Sequence, residues 1–248
     1  MHCLIYEVFK SAQFLQYGDT ELAYLKAKDP LLGEVIDKLG KLPMEVNPDL
    51  FCALVHCIAG QQISTKAHRT VWQRMLDGIG EITPKSIDQL TVEELQAFGI
   101  NFRKARYIKN AAQKVLTGEL DIDGLADLPD EEVCKQLVKL DGVAQWTAEM
   151  LLFFSMQRPN ILSYGDLSIV RGMRMVYHHR EITPKLFERY RRRLSPHCFI
   201  ASICFIAVAE GAVEGLKDLA QKQPKETARK NLERSGRKIS PGLKDFEQ

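Results

Sequence analysis

This 248-residue chain lacks several features, and each absence removes a class of protein. No apolar run approaches the ~18 residues of a membrane-spanning helix, so no such span is expected. Residues 1–16 carry neither a basic start nor a small-residue cleavage site, so no signal peptide is expected either. The six cysteines (Cys3, Cys52, Cys57, Cys134, Cys198, Cys204) form no C-x-x-C pair. That argues against a disulfide framework and for a reducing, cytoplasmic setting. Cys198 and Cys204 have no further cysteines beside them to complete the four ligands of an iron–sulfur centre. The formal net charge is only +2, which neither demands nor excludes nucleic acid, because local patches matter more than totals.

The chain has 45% hydrophobic and 27% charged residues, an ordinary globular balance. It is long enough to bury a core as one domain or two small lobes. Its pattern is helical nearly throughout. Asp19 is placed to cap a first helix, and Asp29-Pro30 opens a second with Leu32, Val35, Ile36 and Leu39 on one face. Asn47-Pro48 opens a third, and Ser64 or Thr65 caps a fourth. Thr83-Pro84 and the capping box Thr91-x-x-Glu94 start two more. Amphipathic stretches follow at 103–116, 130–139, 145–156, 167–177, 184–194 and 198–212. Apart from a strand-like alternation at 4–9 there is no β pattern and no repeat, so the expected fold class is all-α. From residue 221 the periodicity fades. That stretch holds eight Lys and Arg against four Asp and Glu, and reads as a flexible basic tail.

Two local features carry chemistry. In the run from Leu137 to Ala148, Gly142 permits a tight reversal between two helices. Amides around Gly142, Val143 and Ala144 are then expected to point outward from a positive helix start, which suits a backbone phosphate. A plain helix–turn–helix connection reads the same way. Twenty residues beyond Trp146 lies Asp166, in Leu162-Ser163-Tyr164-Gly165-Asp166-Leu167-Ser168-Ile169. It is placed as a helix N-cap. A carboxylate there also suits stabilisation of an oxocarbenium-like sugar, or the orientation of water towards its C1′.

A hairpin between helices followed by an aspartate about twenty residues on resembles the helix–hairpin–helix DNA glycosylase superfamily, over most of residues 48–211. Trp146-Thr147-Ala148-Glu149-Met150-Leu151-Leu152 with Asp166-Leu167-Ser168-Ile169 is similar to its alkyl-base branch, the 3-methyladenine DNA glycosylase II type. Ile58-Ala59-Gly60-Gln61-Gln62-Ile63-Ser64-Thr65-Lys66-Ala67 resembles that branch's loop facing the DNA minor groove.

The resemblance implies two helical lobes with the active site between them. These are residues 46–158 with the hairpin at about 130–157, and 1–45 joined to 159–220 carrying the aspartate, with 221–248 as tail. It implies Asp166 as the catalytic carboxylate and Gln62 as the wedge filling the space left by a flipped base. Ser64, Lys66, Gly142, Val143, Ala144 and Thr147 are the implied DNA contacts, and Trp146, Met150 and Tyr164 the implied walls of the base pocket. Trp146 stands where bifunctional members carry a lysine nucleophile, so Schiff-base chemistry is not expected and hydrolysis to an abasic site is. Arg103, Lys104, Arg106 and Lys139 are further candidates for backbone contact.

The pattern departs from the family at Asp141 for proline, Ala144 for a second glycine, Gly165 for an aspartate and Tyr164 for a proline. These changes bear on substrate choice. Implied with the family are duplex DNA containing a damaged base as partner, no membrane, and a monomer working in a bacterial-type cytoplasm and on the nucleoid. No cofactor or iron–sulfur cluster is implied, and a monovalent cation at the hairpin is the one ion left open. The competing readings are an oxidised-base glycosylase of the 8-oxoguanine type and a non-enzymatic hairpin DNA-binding module.

Overall fold

A computed structural model describes residues 13–220. The alternation at 4–9 and the basic tail from 221 lie outside the described residues. The order is β1 (Gln13–Phe14), α1 (Asp19–Lys28), α2 (Pro30–Leu39), β2 (Glu45–Val46), α3 (Leu50–Gly60), α4 (Thr65–Ile79), α5 (Pro84–Asp88), α6 (Val92–Ala97) and α7 (Phe102–Leu116). A 3-10 turn at Gly124–Asp127 leads to α8 (Asp130–Leu137), α9 (Gln145–Phe154), α10 (Leu167–Val176), α11 (Pro184–Leu194) and α12 (Cys198–Ala209). The fold is all-α, as expected. The one β feature among the described residues is an antiparallel pairing of Gln13 with Val46 and Phe14 with Glu45.

Capping explains most helix starts. Ser64 Oγ accepts from the Ala67 amide at 3.3 Å, and Asp29 Oδ1 from Leu32 at 3.1 Å. Thr83 and Thr91 form reciprocal boxes with Ser86 and Glu94. Each such cap contributes about 1 kcal/mol. Two expected starts shift. Asp49, not Asn47-Pro48, caps α3 by accepting from Cys52 at 2.8 Å, while Asn47 Oδ1 accepts from the Asp49 amide. Asp19 lies inside the first turn of α1, where Gly18 is the cap and its amide is held by Glu21.

Buried apolar side chains fall into two clusters. One runs from Met44 to Ile161 through α3–α9 and includes Trp72, Phe153 and Phe154. The other joins Leu22, Leu25, Leu32, Val35 and Ile36 to residues of α10–α12. From α1 onward the described chain thus contributes to one cluster, builds the other, and returns to the one it left. Asp29, 1% exposed, ties the return by accepting from Tyr177 at 3.0 Å and Arg193 at 3.1 Å. α12 serves both clusters: Phe199 stacks on Phe153 at 3.8 Å while Phe205 packs in the other core. That double duty explains why its sequence is apolar all round.

Candidate active site

The hairpin reverses where expected. Gly142 has φ +80°, and a Cβ there would lie 2.3 Å from the Tyr107 ring. Both the left-handed backbone and the contact with Tyr107 require glycine. Ala144 caps α9 without offering a side-chain acceptor, so the first-turn amides of α9 are left for an external anion. Val143 departs from expectation. Its amide donates to the Leu140 carbonyl at 3.1 Å and its side chain is 6% exposed, so neither faces outward. Closing a turn this tight uses that N–H internally.

The loop after α3 approaches the hairpin from the side. Gln61 Nε2 donates to the Gly142 carbonyl at 2.8 Å, across 81 residues of sequence. The next residue, Gln62, is exposed and held at φ +56°, an uncommon conformation for a residue other than glycine. Lys104 anchors this loop from beneath, its Nζ donating to the carbonyls of Ala59 at 2.9 Å and Gln61 at 2.5 Å. Burial pushes the Lys104 ammonium below the usual lysine range. Expected to touch the DNA backbone, Lys104 is instead 7% exposed and satisfies carbonyls at the C-terminal end of α3. Ser64 and Lys66 are exposed at the start of α4, beside Gln62. Arg103, Arg106 and Lys139 are exposed as well.

Asp166 caps α10 and is 5% exposed. Its Oδ1 accepts from the amides of Ser168 at 2.9 Å and Ile169 at 3.0 Å. Its Oδ2 accepts from the Trp146 indole N–H at 3.0 Å. Trp146 packs against the first hydrophobic cluster and Ile169 sits in the second, so this bond spans the seam between them. A carboxylate has about four acceptor sites. Two amides fill Oδ1 and the indole takes one site on Oδ2, so one site remains, on Oδ2.

Tyr164 is exposed beside this carboxylate; its hydroxyl donates to the Ile182 carbonyl at 3.0 Å and its ring meets Phe187 edge-on. Gly165 presents its Cα side to Trp146, with room for a Cβ at 3.6 Å. Two other expected contacts turn inward. Met150 is 2% exposed within the first core cluster and has no surface to offer a base. Thr147 is 3% exposed, which leaves only its helix-start amide for DNA. Gln61, Tyr107, Glu149 and Ser163 make contacts at the candidate site that local pattern did not reveal, and the anchoring contacts of Lys104 were equally hidden. Their contacts cross between elements, and no motif spacing encodes them.

A concavity of about 730 Å³ lies elsewhere, lined by Asp49, Phe51, Pro84, Val115, Met156 and Arg158 among others. It sits at the ends of α3 and α9 opposite to Gln62 and Trp146. That hollow holds none of the residues gathered at the Asp166 seam, which is the candidate site.

A hairpin-started helix facing a helix-capping aspartate across two helical clusters defines a hairpin-type all-α architecture. Residues 55–197, more than half of the chain, match the model for the HhH-GPD superfamily base excision DNA repair protein, and the chain belongs to this superfamily. DNA-3-methyladenine glycosylase 1 of Schizosaccharomyces pombe is 30% identical over 138 residues, covering 54% of this chain and 60% of that protein. A DNA-3-methyladenine glycosylase of Bacillus subtilis is 25% identical over 160 residues, covering 60% of this chain and 53% of its own length. The chain thus spans about half to three-fifths of the length of these two relatives. Among solved structures, DNA-3-methyladenine glycosidase from Bacillus halodurans is 28% identical with a TM-score of 0.73, covering 84% of this chain and 97% of that one.

Proposed function

We propose that this protein is a monofunctional DNA glycosylase that flips alkylated purines of the 3-methyladenine type out of duplex DNA and hydrolyses their N-glycosidic bond. The observation that carries this is the Asp166 carboxylate, fixed by two amides and an indole with one acceptor site left open. A base alkylated at N3 or N7 is cationic. When the C1′–N bond breaks, the base leaves neutral with the bonding electrons, and the positive charge passes to the sugar. Asp166 stabilises that charge, and water then adds at C1′ and loses a proton to leave an abasic site. No general acid is needed for such a leaving group. The relatives' names and the superfamily support this reading.

In this reading Gln62 is the wedge, the amides at the start of α9 grip one phosphate, and Ser64 and Lys66 flank the groove. Duplex DNA is bound by a monomer. Trp146, with no primary amine, cannot form a Schiff base. We read the reaction as cofactor-free. Among the described residues no group of three or more His, Cys, Asp or Glu is placed to hold a metal ion. A reducing, cytoplasmic setting suits the five described cysteines, all free. Burial pushes the thiols of Cys57, Cys198 and Cys204 up to about 12, which keeps them protonated and unreactive.

The test is to quantify bases released from methylated and oxidised duplex DNA in parallel. Release of methylpurines is expected, with no borohydride-trapped adduct on abasic DNA. Release of 8-oxoguanine with a reducible adduct would overturn the proposal, and DNA binding without any release would reduce the chain to a binding module. The wedge is tested separately. Gln62→Ala is expected to weaken binding to a lesion duplex about 10-fold, the equivalent of losing part of the few kcal/mol that extrusion requires. Binding to a flexible single strand should be nearly unaffected, and equal losses on both would argue against a wedge.

A further inference from the structure

The aspartate loop is tied to the hairpin helix at a second point. Ser163 is fully buried, three residues before Asp166, and its hydroxyl donates to Glu149 Oε2. The other oxygen of Glu149 accepts from Gln145 Nε2 at 3.0 Å, which orients the carboxylate along α9. Trp146 and Glu149 are three residues apart and so neighbours on one helix face. That face holds the loop twice, by the indole on Asp166 Oδ2 and by the Glu149 carboxylate on Ser163. The Asp166 amide also leans back on the Ser163 carbonyl, at 3.4 Å. A shift at Ser163 would therefore reach Asp166 directly.

We propose that Glu149 is a positioning residue that, through the buried Ser163 hydroxyl, latches the 162–165 loop and holds Asp166 against the sugar. The role rests on the glycosylase reading given above. Its chemistry is acceptance of a hydrogen bond, and Glu149 takes no part in bond cleavage. Misplacing a reacting group by about 1 Å costs on the order of 100-fold in rate. Loosening the latch should act on rate rather than on DNA affinity, because the phosphate-gripping turn and the Gln62 loop lie outside it.

The experiment compares Glu149→Ala, Ser163→Ala, the double variant and Glu149→Gln in single-turnover base release and in DNA binding. Each alanine variant should lose roughly 10- to 100-fold in rate with DNA affinity within about 3-fold of the parent. The double variant should lose no more than either single one. Glu149→Gln, which keeps an acceptor oxygen, should restore most of the rate. Parental rates in either alanine variant would overturn the latch. So would multiplied losses in the double variant, or a glutamine variant as slow as the alanine one. Acrylamide quenching reads the latch without activity, since Trp72 is fully buried and Trp146 is the other tryptophan. The quenchable fraction should rise in both alanine variants. If the parent protein released no base the glycosylase reading would fail, while an unchanged quenching profile would sink the latch alone.

Discussion

Asp166→Asn is expected to abolish base release, by at least ~1,000-fold or about 4 kcal/mol of transition-state stabilisation, while folding and DNA binding persist. Asparagine caps a helix about as well as aspartate. Its side-chain oxygen can keep the bonds from Ser168 and Ile169. The change therefore removes the charge, not the helix start. It also sets an amide N–H₂ against the Trp146 indole N–H, donor against donor, where Oδ2 now accepts at 3.0 Å. Asp166→Ala should match the rate loss and lose a further ~1 kcal/mol of stability with the cap. Single-turnover release from methylated duplex, paired with a gel-shift assay and a melting curve, separates these effects. A fully active asparagine variant would remove Asp166 from the chemistry.

The largest effect on stability is expected at Gly172, in the middle of the helix that Asp166 begins. A Cβ at Gly172 would lie 2.0 Å from the Phe205 carbonyl oxygen and 2.7 Å from its Cα. Both are backbone atoms of α12, and no rotamer change can move them aside. Alanine gains up to ~1 kcal/mol of helix propensity over glycine. Forcing two packed helices apart costs more, about 3 kcal/mol, so the clash prevails. Gly172→Ala should lower the melting temperature by roughly 5–10 °C and slow base release as α10 and its cap are displaced. An unchanged melting temperature would mean that α10 and α12 do not pack in the arrangement described.

Much of the fold was legible because caps are local. Asp29, Ser64, Thr83 and Thr91 each accept from an amide three residues on, a relation visible in the string of letters. So was Asp166 as a cap. Helix faces were harder to read. From Met150 to Phe154 the hairpin helix is apolar without interruption, so its period does not say which side faces a pocket. Met150 accordingly turned out to be core. Lys104 read as a candidate for backbone contact because nothing nearby in sequence shows the carbonyls of Ala59 and Gln61 that it serves.

By itself the sequence determined the helices, the capping aspartate, the glycine that the hairpin needs, and the lack of an amine at Trp146. All of these depend on residue chemistry within a turn or two of the chain. Only the tertiary structure decided that Trp146 holds Asp166, that Glu149 holds Ser163, and that Gln61 joins the loop of Gln62 to Gly142, across 20, 14 and 81 residues. A hydrogen bond between elements depends on how two packed helices approach each other. That approach is set by the summed burial of two cores, which no local spacing records.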